Sequence, residues 1–232
     1  MAKKVFLGVG HGGSDPGAVG NGLKEKDLAL TIATACFEEL ARHGVTVLMS
    51  RTKDESETVN AKVKECNAFK PDLAMDIHIN AGGGDGAEAY YHYKGGVGKT
   101  LAENILAECV AIGQNSRGAK TKKNKYGKDY YAFIRDTKAA AILLECAFID
   151  NKNDITIIDT VAEQKAMGVA IAKGVLKTLG IAYIPVKVAS DEKAPDGKLY
   201  HVQVGAYKVK ANAEDMVKKL KDAGFTGIIK LS

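Results

Sequence analysis

At 232 residues, 46% of them apolar and 26% charged, the chain is long enough for one domain of ordinary size and a small appendage, with the apolar material for a buried core. No run reaches the length of a membrane span, which excludes a chain that crosses a bilayer by helices. The net charge of +5 gathers at Lys120, Lys122, Lys123, Lys125 and Lys128. That knot reads as a solvated loop or as attraction to an anionic polymer, and with few aromatics interleaved it does not support base stacking on a nucleic acid.

The first element is an apolar strand at residues 5–9, which opens into a loop dense in glycine, from Gly10 to Gly22, returning at Glu25. Residues 27–43 read as a helix, because Leu28, Ile32, Cys36 and Leu40 recur every four positions and Gly44 stops the run. A strand at 45–50 ends at Arg51 and Thr52. Residues 56–69 read as a weaker helix capped by Ser56, with Glu57 in its first turn and Pro71 beyond its end. A strand at 73–77 leads to His78. Another at 87–93 turns at Gly95 and Gly96 into a helix from about 99 to 112, and the lysine-rich stretch to Asp129 reads as a surface excursion. A short strand is expected at 130–135. Residues 141–148 are almost wholly apolar, the pattern of a strand buried on both faces, and 160–179 form a last long helix ended by Gly180.

Strands alternating with helices predict an α/β domain over residues 1–183: a mainly parallel, twisted sheet with helices on both faces and functional residues at the carboxyl ends of the strands. Cys36, Cys66, Cys109 and Cys146 lie far apart in apolar patterns and read as buried thiols. Residues 184–197 mix proline, glycine and charge as a linker does. A strand at 199–207, a helix at 211–223 and a strand at 227–231 then make a βαβ piece, 198–232, too short to close a core alone. It needs a partner.

His11 and His78 both end apolar strands in loops of small residues, where packing alone does not ask for imidazole, and Glu25 returns to the same edge. Two imidazoles and one carboxylate, with a fourth position left to water, form the ligand set of a catalytic rather than a structural zinc. Glu145 breaks the apolar run 141–148, and burying a lone carboxylate is costly; it is either a site residue or the partner of an arginine such as Arg135. His43, His92 and His201 read as structural. Two phosphate-loop patterns compete with the metal. Residues 8–13 fit G-x-G-x-x-G, but no helix opens within the loop and no acidic residue follows the next strand. Residues 94–100, Lys-Gly-Gly-Val-Gly-Lys-Thr, are similar to the P-loop of partitioning ATPases, yet follow a fourth strand with no magnesium-binding aspartate downstream; the alternative is an ordinary turn and helix start.

Around these stretches the sequence resembles the zinc-dependent N-acetylmuramoyl-L-alanine amidases of the type 3 group. The pieces that carry the resemblance are Gly10-His11-Gly12-Gly13-Ser14-Asp15-Pro16-Gly17-Ala18, Gly22-Leu23-Lys24-Glu25-Lys26, Ser50-Arg51-Thr52, Ile77-His78-Ile79-Asn80-Ala81 with Gly86 and Glu88, and Leu143-Leu144-Glu145 with Phe148-Ile149-Asp150-Asn151. They fall within residues 1 to about 182. The resemblance implies that His11, Glu25 and His78 bind one zinc ion and that Glu145 is the catalytic carboxylate. It also implies a substrate, the amide joining the lactyl group of muramic acid to the first L-alanine of the peptidoglycan stem. Glu88 is then expected to orient a ligand or contact substrate, and Asn80 and Arg51 to contact the stem or brace the loops.

The tail is similar to one repeat of the sporulation-related, peptidoglycan-binding (SPOR) domain of mother-cell-lysis amidases and phage lysins. Two chains are expected to pair their half-domains into one sheet, giving a homodimer. Only Lys3 and Lys4 precede the first strand, so no secretory signal is read. The expectation is synthesis in the cytoplasm and action on the wall after lysis or holin-type release, as a host autolysin or a phage endolysin. Two rival readings change the chemistry: a non-catalytic wall-binding protein whose zinc staples the fold, and a zinc carboxypeptidase cutting within the stem.

Overall fold

In a computed structural model that describes residues 2–186, 209–222 and 228–229, the chain divides into two units, Met1–Ile184 and Pro185–Ser232. The first unit runs β1 (Lys4–Val9), the two-residue strands β2 (Val19–Gly20) and β3 (Leu23–Lys24), α1 (Glu25–Arg42), β4 (Thr46–Met49), α2 (Val59–Phe69), β5 (Leu73–Asn80), β6 (Ala87–Tyr91), α3 (Val97–Ala111), β7 (Ser116–Lys120), α4 (Ala132–Asp136), β8 (Ala140–Phe148), α5 (Lys152–Ile155) and α6 (Val161–Leu179). Six strands form one sheet in the order β4-β1-β5-β8-β6-β7. Every pairing is parallel except β6 against β8.

The two faces of that sheet are covered unequally. Val5, Leu7, Met75, Ile77, Ile142 and Leu144 point into the large core beneath α1, α3 and α6. Phe6, Ala74 and Ala141 point the other way, into a small cluster with Val63 and Cys66 of α2 and Phe133 of α4. Because side chains alternate along a strand, Asp76, His78 and Asn80 share the face of Ala74, and Glu145 shares that of Ala141. The small core gives out toward the carboxyl ends of β5 and β8, and polar residues take over there.

Helix α6 is bounded as its sequence dictates. Thr160 and Glu163 form a reciprocal capping box at its start and Gly180 closes it in the left-handed conformation. A Cβ on Gly168 would stand 2.5 Å from the carbonyl oxygen of Ile32, and one on Gly174 the same distance from Cα of Ile105. These two glycines let α6 lie against α1 and α3. All four cysteines are buried and free.

Several expectations need correction. Residues 130–135 are no strand: Tyr131 leads into α4, where adjacent Phe133 and Ile134 are both buried, which alternation does not allow. The lysine-rich excursion instead contains β7, an edge strand with no apolar run because its residues are exposed or half-buried. Helix α2 starts after Thr58, whose hydroxyl accepts from the Ala61 amide; Ser56 Oγ is engaged by the glycine loop, at 3.4 Å from both Gly12 O and Ser14 N. Arg135 bonds Asp136 and the carbonyls of Asp129 and Tyr130 rather than Glu145. At Gly96 the phosphate-loop look-alike is a turn and helix start, with Lys99 3.6 Å from Glu103 one helical turn on.

In the second unit α7 (Lys210–Asp222) shows its less exposed side at Ala213, Met216, Val217 and Leu220, the spacing of one helical face. The strands expected at 199–207 and 227–231, His201, most of the linker and the pairing of two half-domains lie outside the described residues. No helix among the described residues is long and apolar enough to cross a membrane.

The α1–α6 contact yields a prediction. Gly168→Ala forces a methyl against the Ile32 carbonyl and is expected to cost about 1–3 kcal/mol of stability. Urea unfolding measures it; an unchanged midpoint would contradict the packing.

Candidate metal and catalytic site

Adjacent parallel strands β1 and β5 deliver His11 and His78 to one edge of the sheet, while Glu25 opens α1 and is only 4% exposed. The glycine loop closes around these groups. A Cβ on Gly10 would lie 2.7 Å from His78 Nδ1, and one on Gly17, where φ is +65°, would lie 2.5 Å from Glu25 Oε2 and 2.6 Å from the His11 ring. At both positions a side chain would occupy the space of a donor group.

The Glu25 carboxylate spans the two imidazoles. Oε2 is 3.2 Å from His11 Nε2 and Oε1 is 2.9 Å from His78 Nδ1; the amides of Ala18 and Ile79 also donate to it, at 2.8 and 3.0 Å. One donor atom from each of the three residues lies within 4.8 Å of the others. Ligand atoms around a tetrahedral ion with bonds of about 2 Å are roughly 3.3 Å apart, so the cluster has the size and the chemistry to hold one.

Each imidazole faces a carboxylate with its other nitrogen. Asp15 Oδ2 is 2.7 Å from His11 Nδ1 and Asp76 Oδ2 is 3.4 Å from His78 Nε2. Such partners fix the tautomer and ring orientation of a metal-binding histidine. Lys62, buried in α2, donates to Asp76 at 2.7 Å and to the Val9 carbonyl at 3.1 Å. Burial opposes charge on His78, but Asp76 and Glu25 overcome it and raise the ring to about 10. The hydrogen bond to Glu25 raises His11 as well, and the two imidazoles hold the Glu25 carboxyl well below the usual range despite its burial. A metal cation entering the cluster displaces those protons, so its affinity rises with pH.

Strand register sets the next two carboxylates. His78 stands opposite Glu145 and Glu145 opposite Glu88, so the three side chains share one face in neighbouring strands. Glu145 Oε2 is enclosed and accepts no hydrogen bond. Burial pushes its carboxyl up to about 7, the carboxylates of Glu25, Glu88 and Asp76 adding to the effect and His78 opposing it. A carboxyl poised near neutrality beside a metal cluster can accept and return a proton.

Glu88 is a different kind of group. Oε1 accepts from Asn80 Nδ2 at 3.0 Å and Tyr90 OH at 2.9 Å, and Oε2 from Arg117 Nε at 2.8 Å and Lys120 Nζ at 2.5 Å. Lys120, Arg117 and Tyr90 overcome its burial and hold it below the usual carboxyl range, which makes it a weaker base than Glu145. It bonds neither histidine of the cluster; Asp15 and Asp76 stand in that place. Asn80 Oδ1 also takes the Ala81 amide. Arg51 is buried and donates to the carbonyls of Gly10, Lys26 and Lys53, bracing the glycine loop and the start of α1 from behind.

Asp76 carries the same sequence signal as Glu145, a carboxylate in an apolar strand, and Lys62 sits on the apolar side of α2 with Val63 and Cys66. Arg117 and Lys120 offer no such signal. The lysine knot has aromatic partners that the chain order hides: Lys122 Nζ lies 4.1 Å from the Tyr130 ring centroid and Lys123 Nζ 4.3 Å from that of Tyr93. His43 ends α1, with Nδ1 2.8 Å from the Glu39 carbonyl, and His92 lies 3.1 Å from Asp129.

Residues 5–177 match the family described as N-acetylmuramoyl-L-alanine amidase, and residues 172–231 match the SPOR domain. The chain is 34% identical over 232 residues to the sporulation-specific N-acetylmuramoyl-L-alanine amidase of Bacillus subtilis, covering 98% of this chain and 84% of that protein. It is 33% identical over 230 residues to N-acetylmuramoyl-L-alanine amidase CwlM of Bacillus licheniformis, covering 97% and 84%. Among solved structures, Cwp6 from Clostridium difficile superposes with a TM-score of 0.76 at 39% identity, over 77% of this chain and 30% of that one.

Two predictions follow from the cluster. Asp15→Ala, at an exposed position, is expected to weaken zinc binding roughly 10- to 100-fold in competition with a chromogenic chelator; unchanged affinity would contradict its role on His11. Folding raises Glu145 from 4.5 to about 7, so the unfolded chain loses that proton first and the metal-free protein loses stability as pH rises through this window. Metal-free Glu145→Gln is expected to exceed the wild type by roughly 1–3 kcal/mol above pH 7, the gap closing on acidification. A variant less stable than wild type at pH 7.5 in urea unfolding would count against the enclosed, unpartnered carboxyl.

Proposed function

The chain belongs to the N-acetylmuramoyl-L-alanine amidase family, and from that membership we propose that it hydrolyses the amide between the lactyl group of muramic acid and the first L-alanine of the peptidoglycan stem, using a zinc ion held by His11, Glu25 and His78. The observation that carries the reading is the register of β5 and β8, which sets a neutral-poised Glu145 next to a three-donor cluster. Two nitrogens and one oxygen, with no thiolate, suit a zinc that works on substrate rather than one that only staples a fold.

A zinc ion held by His11, Glu25 and His78 would supply Lewis-acid chemistry, polarising the amide carbonyl and lowering the pKa of water. Glu145 takes the proton of the attacking water and returns it to the leaving amine nitrogen. Asp15 and Asp76 keep the imidazoles oriented, and Lys62 holds Asp76 in place. The SPOR match at 172–231 supports a role for the tail in keeping the enzyme on the wall.

Digestion of purified peptidoglycan with mass spectrometry of the fragments tests this. The expected products are intact glycan strands and free stem peptides beginning with L-alanine, lost on chelation. Glu145→Gln is expected to keep zinc and lose at least about 100-fold in kcat, whereas His78→Ala loses both. Cleavage within the stem would indicate a peptidase, and no cleavage by zinc-loaded protein would overturn the hydrolase reading.

A further inference from the structure

The row of site residues does not stop at Glu88. Strand β7 is the last in the sheet, and its Arg117 and Lys120 meet the Glu88 carboxylate from the far side. Both cations converge on one oxygen, Oε2, and a single cation would suffice to neutralise Glu88. Two cations thus serve one carboxylate here, with Asp85 a further acidic group that acts on Arg117.

Arg117 is held in a particular way. It spends Nε on Glu88, and its guanidinium carbon lies 5.0 Å from the Phe148 ring centroid. Nη1 and Nη2 make no hydrogen bond to any described residue, and the side chain remains 39% exposed. A guanidinium fixed at its back edge and over a ring, with its fork unspent, loses little freedom on binding a planar anion. Carboxylate matches that fork with two parallel hydrogen bonds. Lys120, 33% exposed, adds a second positive charge next to it.

We propose that Arg117, aided by Lys120, is a specificity-determining subsite that reads a free carboxylate on the peptide arm of the substrate. The proposal rests on the amidase reading. Strand β7 lies three strand spacings from β5, which carries His78, and two from β8, which carries Glu145, roughly 14 and 10 Å, and an extended peptide advances about 3.5 Å per residue. With the reach of an arginine side chain, a second stem residue that is joined onward through its side-chain carboxyl keeps its α-carboxylate free and presents it within range of the fork. Amidation of that carboxylate removes its charge and half its acceptor capacity.

The experiment compares two N-acetylmuramoyl tripeptides whose second residue, a glutamate, is joined to the third through its side-chain carboxyl, and which differ only in carrying an α-carboxylate or an α-carboxamide on that residue. The wild-type, zinc-loaded protein is expected to prefer the carboxylate by roughly 10- to 100-fold in kcat/KM. Arg117→Gln is expected to bring that ratio close to one. Arg117→Lys, which keeps a cation for Glu88 but has no fork, is expected to do the same. A wild-type ratio near one, or a wild-type ratio retained in Arg117→Lys, overturns the subsite. Calorimetric binding of the two free tripeptides distinguishes failure of the carboxylate site from failure of the hydrolase reading. If the wild type cleaves neither substrate yet binds the carboxylate tripeptide more tightly through Arg117, the hydrolase reading fails and the carboxylate site stands. Equal binding of both tripeptides overturns the site.

Discussion

A single carboxylate ties this fold together at its working edge. Glu25 opens α1, receives amide protons from Ala18 in the glycine loop and Ile79 in β5, and faces an imidazole with each oxygen. Three separate stretches of chain meet on it. An anion at a helix N-terminus is favoured by the helix dipole, which helps to offset the burial of Glu25. The glycines that approach it are accordingly constrained by space, as the donor groups around Gly10 and Gly17 show.

The division of the sheet into a large and a small core explains where the chemistry sits. On the α1, α3 and α6 side the strands are apolar to their ends. On the other side, α2 and α4 cover only the beginnings of β5 and β8, and the same alternation that buries Ala74 and Ala141 brings Asp76, His78 and Glu145 to an uncovered edge. A carboxyl left without a partner there costs stability, and that cost is what keeps Glu145 poised near neutrality instead of fully ionised. Function and fold stability pull in opposite directions at this residue.

The parts of this site that were legible in the sequence are those that violate a pattern. His11, His78 and Glu145 interrupt or end apolar runs, and Glu25 follows a loop too rich in glycine to be ordinary. Asp76 has the same signature two residues before His78, yet beside a histidine it passed for part of the strand. Arg117 and Lys120 were illegible for a physical reason: an edge strand needs no apolar face, so Ser-Arg-Gly-Ala-Lys resembles a loop. Helix α4 has five residues, too few for a period to register, and the start of α2 depended on whether Ser56 or Thr58 was free to cap, which the distant Gly12 and Ser14 decided.

The central claim is that His11, Glu25 and His78 hold the metal while Glu145 stays off it as the proton carrier. A crystal structure of the zinc-loaded protein, phased at the zinc absorption edge, tests this directly. The account predicts one ion about 2.0–2.2 Å from His11 Nε2, His78 Nδ1 and a Glu25 oxygen, with Glu145 outside the first ring of ligands. An ion bonded to Glu145, or seated away from the two histidines, would contradict it.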